Sequence, residues 1–423
     1  MNKNRNRSLG TNEKVYWVLD QKITTQFAVV AEINGNVTEN TWREALDAVQ
    51  KRHPNLFLQI AGNEYSTAHF QHVDDCKIPL RVIFSHRGDN WNSVVEEELN
   101  NPLDITVAPL ARVVLIQQSG KTVFIFISNH CIGDGMSAAL FIRDVLSAVS
   151  GKTIDDLMPL PPLEMIAGVA ENEITERDIN VSEQAKSNLL PRSKINISRI
   201  KLSAALTAKL LKRAKNENTT VHGALGAALI IAIKEADISL LQKPVRILHP
   251  LSARKALCIG EDYGMLASII TIPYDPFPEE SFWNLARTVR QGVATTQTAE
   301  WIKNDITATQ GLFSSGLDID TVTQALYQGT LHEIMLTNLG LLPFATDFGT
   351  LELTSLWGPM VLTLHEEACT VGVTTFNGEL ALTATSLKPY QALLEIAERI
   401  IEEVCGSQES LQIDSLIVHS EQI

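Results

Sequence analysis

His130 is the residue of this chain best placed for chemistry, because it lies between a predicted strand and a predicted helix. Residues 123–128 before it are β-branched and aromatic, which is typical of a buried strand. The apolar residues after it recur at the spacing of one helix face: Ala138, Ile142, Val145 and Val149. A sheet can hold a histidine rigidly at such a strand end while its ring faces a cleft. A neutral imidazole placed there can take a proton from an attacking group, so we predict a general base.

The residues around His130 have predicted roles of their own. Gly133 and Gly135 leave room for a substrate backbone or a pantetheine arm, and Asp134 is expected to cap the helix or to pair with an arginine. Two other interpretations of the segment remain open. His130 could be a core histidine whose ring is satisfied by the backbone. Cys131 could form a Cys/His hydrolase pair with it, although adjacent residues of an extended segment point to opposite sides.

The elements that must position these residues form a mixed α/β pattern. In the first half, strand-like runs cover residues 26–33, 79–84, 111–117 and 121–128, and helical runs cover 38–52 and 92–101. In the second half, helices are predicted after Ser203 and at 220–233, 282–298 and 389–405, with strands at 245–250 and 266–273.

Length and periodicity together predict two lobes. A chain of 423 residues exceeds what one hydrophobic core usually fills. Residues 155–191 lose the periodic pattern, with three prolines followed by an acidic, polar tract. We therefore predict an N-terminal lobe over residues 1–175, a linker over 176–195 and a C-terminal lobe over 196–423.

Several motifs together resemble one superfamily. The string Asn129-His130-Cys131-Ile132-Gly133-Asp134-Gly135 resembles the His-x-x-x-Asp-Gly signature of the condensation-domain and chloramphenicol-acetyltransferase-like superfamily. Further matches are Arg52-His53-Pro54 to an early Arg-His-Pro element, Arg254 to an arginine that pairs with the motif aspartate, Thr337-Asn338-Leu339-Gly340 to a Ser-Asn-x-Gly element, and Phe376-Asn377-Gly378 to a closing hairpin. The matches span most of the chain, and Asn129 stands where many condensation domains carry a second histidine.

The resemblance implies a fold and a set of site residues. The fold is α/β (α+β), with two chloramphenicol-acetyltransferase-like lobes, each a mixed sheet with flanking helices, and a tunnel between them. His130 would be catalytic, and Asp134, Gly135 and Arg254 would be structural at the active site. The residues expected to bind substrate are Asn129, Gly133 and Asn338. The group that stabilises the oxyanion stays open at this point.

The resemblance also implies an activity. Free-standing members with this pattern resemble alcohol acetyltransferases and polyketide-associated acyltransferases. We therefore expect transfer of an acyl group from acyl-CoA or an acyl carrier protein to a hydroxyl acceptor, in lipid or secondary-metabolite biosynthesis. The expected partners are a small alcohol or amine and an acyl carrier protein, with no permanently bound cofactor. The alternatives are a stand-alone condensation enzyme that forms an amide between carrier-bound substrates, and a non-catalytic relative that binds carrier proteins.

Composition argues against other classes. Lys and Arg total 35 against 49 for Asp and Glu, a net charge of −14, which disfavours a nucleic-acid partner held by phosphate contacts. No signal-peptide core and no transmembrane-length run is found, so we expect a cytoplasmic monomer. The five cysteines are scattered, and no ligand cluster completes the pair His69 and His72, so we expect no metal site.

Overall fold

The computed structural model describes residues 6–62, 67–85, 90–170, 194–275, 280–390, 392–407 and 411–417, which form a mixed α/β structure. The strands, in chain order, are β1 (Arg7–Ser8), β2 (Gln26–Asn34), β3 (Leu58–Ala61), β4 (His69–His72), β5 (Leu80–Phe84), β6 (Ala111–Gln118), β7 (Lys121–Asn129), β8 (Asn196–Leu202), β9 (Val245–Ser252), β10 (Ala267–Tyr274), β11 (Ile334–Leu341), β12 (Asp347–Phe348), β13 (Leu351–Val361), β14 (Cys369–Phe376) and β15 (Glu379–Ser386). The α-helices are α1 (Thr11–Asp20), α2 (Glu39–Arg52), α3 (Asn92–Asn100), α4 (Gly135–Val149), α5 (Leu163–Ala167), α6 (Ala204–Asn216), α7 (Val221–Ala236), α8 (Phe282–Ala294), α9 (Ala299–Ser314), α10 (Ile319–Gly329), α11 (Leu393–Gly406) and α12 (Ile413–Leu416).

The first lobe is built on a sheet with strand order β12-β13-β2-β7-β6-β5. β2 and β7 pair antiparallel along their whole length, from Gln26 opposite Asn129 to Asn34 opposite Lys121. Residues of β7 alternate between two cores: Phe124 and Phe126 face the core that contains α2 and α4, and Ile125 and Ile127 face the core that contains α3. Because both faces are covered, the end of β7 is held rigidly.

The second lobe is built on a sheet with strand order β10-β9-β11-β14-β15-β8. Its core is the apolar helix α7, which is buried from Gly223 to Lys234 and packs against α8 and α11. The expected fold class, two lobes that are each a mixed sheet with flanking helices, is confirmed. Among the described residues, no helix combines the length and apolar character that crossing a membrane requires.

One hairpin of the later chain belongs to the first lobe. β13 pairs antiparallel with β2, from Glu352 opposite Asn34 to Val361 opposite Phe27, and β12 pairs with β13 at the sheet edge. The segment assigned to the C-terminal lobe, residues 196–423, therefore contributes strands to both sheets. The linker over 176–195 stays a prediction, because residues 171–193 lie outside the described part of the chain.

The connection between β9 and β10, residues 253–266, reaches from the second lobe into the first. Arg254 donates from Nη2 to the Asp134 carboxylate at 3.2 Å and to the Ser137 hydroxyl at 2.8 Å. The Leu266 backbone N–H donates to the other carboxylate oxygen of Asp134 at 3.3 Å. Asp134 also caps α4, because its Oδ1 accepts from the Ser137 N–H at 2.7 Å. One carboxylate thus begins α4 and binds the second lobe.

A second group of ion pairs lies on the same connection. Glu261 pairs with Arg143 at 2.5 Å and with Arg52 at 2.9 Å, and both arginines also pair with Asp144 of α4. The His53 ring nitrogen Nε2 lies 3.1 Å from the Asp144 carboxylate. The Arg-His-Pro element of the sequence therefore contributes to the contact between the lobes.

The substitution Arg254→Met tests the contribution of the buried ion pair. The Asp134 side chain is 8% exposed, so removing its cation leaves a buried carboxylate without a charged partner. We expect the free energy of unfolding to fall by about 3 kcal/mol, measured by urea denaturation. The control Glu261→Gln alters a carboxylate that is 47% exposed and should cost less than ~1 kcal/mol. Equal losses in the two variants would contradict this assignment.

Candidate functional site

His130 sits directly after β7, at the junction of the two lobes. Its backbone N–H donates to the Thr25 carbonyl at 3.1 Å, which continues the pairing of β7 with the β2 side of the sheet. The Ile132 N–H then donates to the Asn129 carbonyl at 3.2 Å, so the chain turns before α4 begins. The predicted strand, loop and helix around His130 are therefore present.

The imidazole of His130 is held between two aromatic rings. Tyr16 of α1 stacks on it with ring centroids 4.8 Å apart, and Phe27 of β2 stacks on it at 4.2 Å. The Nδ1 atom lies 3.1 Å from the Gly133 carbonyl oxygen. A carbonyl oxygen can only accept, so Nδ1 must carry the proton and donate it. The lone pair consequently lies on Nε2, the nitrogen that a general base needs.

Burial of the imidazole between the lobes determines the charge of His130. Burial lowers the pKa of His130 to about 4, although the Asp134 charge and the Gly133 carbonyl both favour the protonated ring. The imidazole is therefore neutral near pH 7. A neutral ring with a fixed tautomer can accept a proton without first losing one.

Asn129 is not among the residues that line the cavity in front of His130, whereas the resemblance implies a role in substrate binding. It is 1% exposed, and its side chain is already hydrogen-bonded on both sides. Its Nδ2 donates to Asp20 at 3.0 Å, and its Oδ1 accepts from the Cys131 N–H at 2.8 Å. The Cys131 side chain is fully buried, and burial raises the pKa of its thiol. Asn129 therefore shapes the turn, and a Cys/His nucleophile pair is disfavoured.

The two glycines of the loop allow close packing of protein groups against the backbone. A Cβ on Gly133 would lie 2.4 Å from the ring of Tyr263, and a Cβ on Gly135 would lie 2.2 Å from Pro359. Gly133 therefore lets an aromatic ring from the second lobe close over the loop, and Gly135 lets the β13 strand approach α4. Gly135 also lines the cavity in front of His130, and the expectation that the two glycines leave room for a substrate backbone or a pantetheine arm stays a prediction.

A cavity of about 190 Å³ opens in front of His130 and is lined by both lobes. This volume is far larger than the space that one water molecule needs. The lining is mainly apolar, and Asp134 is its one charged side chain among the described residues. Asn338 lines the cavity as expected, but its Oδ1 accepts from the Gly340 N–H at 2.8 Å, so the side chain also shapes a turn.

Several residues of the site were not identified from the sequence. Tyr16 comes from a short helix that was not predicted, and Tyr263 from a connection without periodicity. His332 and His365 also line the cavity, and no motif in the sequence marks either residue. No sequence pattern links these positions, because each comes from a different element.

Sequence comparison matches the chain to one protein family and to parts of two peptide synthases. Residues 18–302 match the family model of the condensation domain. Tyrocidine synthase 3 of Brevibacillus parabrevis is 29% identical over 132 residues, which are 30% of this chain and 2% of that protein. Gramicidin S synthase 2 of Aneurinibacillus migulanus is 25% identical over 139 residues, 32% of this chain and 3% of that protein. The chain thus matches only 2 to 3% of the length of these relatives.

Solved structures share the fold over nearly the whole chain. The first condensation domain of the calcium-dependent antibiotic synthetase, bound to a substrate analogue, has a TM-score of 0.70 at 15% identity and covers 98% of this chain and 100% of that one. Polyketide synthase associated protein 5 from Mycobacterium tuberculosis has a TM-score of 0.66 at 16% identity and covers 95% and 98%. Because the family model matches more than half of the sequence, this protein belongs to the condensation-domain family.

Proposed function

We propose that this protein transfers an acyl group from a thioester, carried by coenzyme A or by a carrier protein, to a hydroxyl acceptor, with Nε2 of His130 as the general base. One observation carries the proposal. His130 is neutral, its tautomer is fixed by the Gly133 carbonyl, and its ring lines an apolar cavity between two lobes. Gly135 and Arg254 support the site through packing and through the ion pair with Asp134.

The proposed reaction proceeds in two steps. As the acceptor oxygen attacks the thioester carbonyl, a C–O bond forms and the hydroxyl proton moves to Nε2 of His130. The imidazolium formed in this step is stabilised by the oxyanion and by the Asp134 charge, which compensates for the unfavourable burial of a cation. When the intermediate collapses, the C–S bond breaks and the thiolate takes the proton from Nε2. Because thiolate is a good leaving group, no acyl-enzyme intermediate is required.

Tyr16 supplies the oxyanion donor in this proposal. It lines the cavity and stacks on His130, and its hydroxyl forms no hydrogen bond with any residue that the structure describes. Burial raises the pKa of Tyr16, so the phenol stays protonated and can donate. A hydrogen-bond donor beside the base is where the developing negative charge needs one.

The charge of the cavity restricts the substrates. Asp134 is already paired with Arg254, and the other described lining residues are uncharged. The phosphates of coenzyme A or of a phosphopantetheine arm would therefore bind outside this cavity, and only the thioester end would enter. A neutral acceptor fits such a lining better than a charged one.

Amide formation is the second candidate function. It is favoured by the sequence similarity to tyrocidine synthase 3 and gramicidin S synthase 2. The same base can remove a proton from an attacking amine. Assays that offer the same thioester to alcohols and to amines of equal chain length will distinguish the two functions, because the preferred acceptor is the one with the higher kcat/KM.

The substitution His130→Ala tests the base. We expect kcat to fall by about 10² to 10⁴, because a positioned general base contributes a factor of this size. Ester formation from purified protein is the measurement, and circular dichroism shows whether the variant is folded. His69→Ala is the matched control, since His69 does not line the cavity and should retain full turnover. Full turnover in His130→Ala would contradict the proposed role.

The pH profile of kcat/KM tests the charge of His130. The neutral ring is the active form, and its pKa is lowered to about 4, so activity should stay level from neutral pH and fall as pH drops through about 4. An unperturbed histidine would lose activity near pH 6.5 instead. Burial also lowers the pKa of His222 and His249, so the folded state loses stability as pH falls below 6.5. Circular dichroism at each pH separates unfolding from titration.

The substitution Tyr16→Phe tests the oxyanion donor. The stacked ring remains while the hydroxyl is lost, so kcat should fall by about 10² to 10³ with little change in KM. Tyr263→Phe is the control, because its hydroxyl donates to the Ser128 side chain at 2.7 Å and does not line the cavity. If Tyr16→Phe and Tyr263→Phe have the same kcat as the wild type, the oxyanion donor is not Tyr16.

A further inference from the structure

His332 and His365 form a second polar group in the cavity lining. They are 4% and 6% exposed, and their rings meet edge to face with centroids 4.9 Å apart. Thr330 and Thr363 line the cavity beside them, whereas most other lining residues of the second lobe are apolar. The mechanism proposed above uses none of these four side chains.

The hydrogen bonds of His332 fix its tautomer. Its Nδ1 lies 2.5 Å from the Thr330 carbonyl oxygen, which can only accept, so Nδ1 carries the proton. Its Nε2 therefore carries a lone pair and is a hydrogen-bond acceptor. This nitrogen is buried and has no hydrogen-bond partner among the described residues.

The hydrogen bonds of His365 also fix its tautomer and leave one ring nitrogen as an unpaired acceptor. The Thr330 hydroxyl donates to the Leu326 carbonyl at 2.7 Å, so it can only accept from Nε2 of His365, which lies 3.4 Å away. The proton of His365 is then on Nε2, and Nδ1 carries the lone pair and is a hydrogen-bond acceptor. Nδ1 is also buried without a partner among the described residues. Two unsatisfied acceptors of the same kind thus occur within one cluster.

The cluster lies at a distance from the His130 loop along the cavity. β11 begins two residues after His332, and Leu339 near its other end lies 3.3 Å from where a Cβ on Gly135 would be. The five residue steps from Ile334 to Leu339 span roughly 16 Å. A group bound at the histidines is therefore remote from the packing site of Gly135.

From these contacts we infer that Thr330, His332 and His365 form a subsite for a hydrogen-bond-donating group of the substrate, a hydroxyl or an amino group, remote from the reacting atoms. Two buried acceptors are best satisfied by a ligand group that donates hydrogen bonds. A carboxylate would be disfavoured, because its lone pairs would face the lone pairs of the rings. Burial lowers the pKa of both histidines, so they remain acceptors near neutral pH.

The donating group can belong to the acyl chain or to the acceptor. In either case the inference of this subsite rests on the proposed acyl transfer. One assay arm compares 1-alkanols, α,ω-alkanediols and ω-hydroxyalkanoates of eight, twelve and sixteen carbons as acceptors with a plain octanoyl thioester. The other arm compares plain, ω-hydroxylated and ω-carboxylated acyl thioesters of the same three chain lengths with 1-octanol. We expect kcat/KM to be about ten- to hundredfold higher for the hydroxylated compound in one arm. The carboxylate should be the poorest substrate in that arm.

Two variants test which atoms are responsible. His332→Phe should abolish the preference for the hydroxyl, measured as the ratio of kcat/KM for the hydroxylated and plain compounds, and His332→Gln should restore part of that ratio, because a carbonyl oxygen replaces Nε2. His365→Asn should likewise retain an acceptor near Nδ1. Three outcomes would each overturn the subsite. The first is no preference for the hydroxyl in either arm, and the second is a preference for the carboxylate. The third is a hydroxyl preference that His332→Phe leaves unchanged.

Binding to His130→Ala, measured by calorimetry, separates this inference from the proposed function. Tighter binding of the hydroxylated compound without turnover by the wild type would contradict acyl transfer and leave the subsite standing. Turnover by the wild type without tighter binding would contradict the subsite alone.

Discussion

The buried ion pair between Asp134 and Arg254 is the interaction on which the rest of the site depends. Asp134 begins α4, and Arg254 brings the β9–β10 connection of the second lobe against the first. That connection places Tyr263 over Gly133, and the Gly133 carbonyl holds the proton of His130 on Nδ1. The Gly133 carbonyl that fixes the His130 tautomer thus belongs to a loop against which the second lobe packs.

The site uses burial to keep a histidine neutral and aromatic stacking to keep it in place. Tyr16 and Phe27 come from different elements of the first lobe, and the two rings leave the imidazole little freedom to turn. A ring of fixed tautomer and fixed orientation has less to reorganise when a proton arrives. Asp134 contributes a charge without contacting the ring nitrogen, because its oxygens are already bound by Ser137, Arg254 and Leu266.

Local patterns made part of this site predictable from the sequence. The periodicity of β7 and α4 placed His130 at a strand end, because a buried strand and an amphipathic helix have distinct spacings. α1 was missed because it is short and begins after Gly10, which has no side chain to cap it. The close packing at Gly133 and Gly135 could not be predicted from local patterns, because the residues beside them, Tyr263 and Pro359, lie more than a hundred residues away in the sequence. Tautomers and unsatisfied nitrogens likewise depend on contacts between distant segments.

The position of β13 has a consequence for how the protein can be divided. If the chain were cut between residues 171 and 193, the first fragment would lack β12 and β13, and β2 would become an edge strand. Its buried residues from Phe27 to Ala31 would then lie next to unpaired backbone groups, which is a hazard for aggregation. The two lobes therefore have separate sheets but depend on each other for folding, and fragments of this protein should be expressed together.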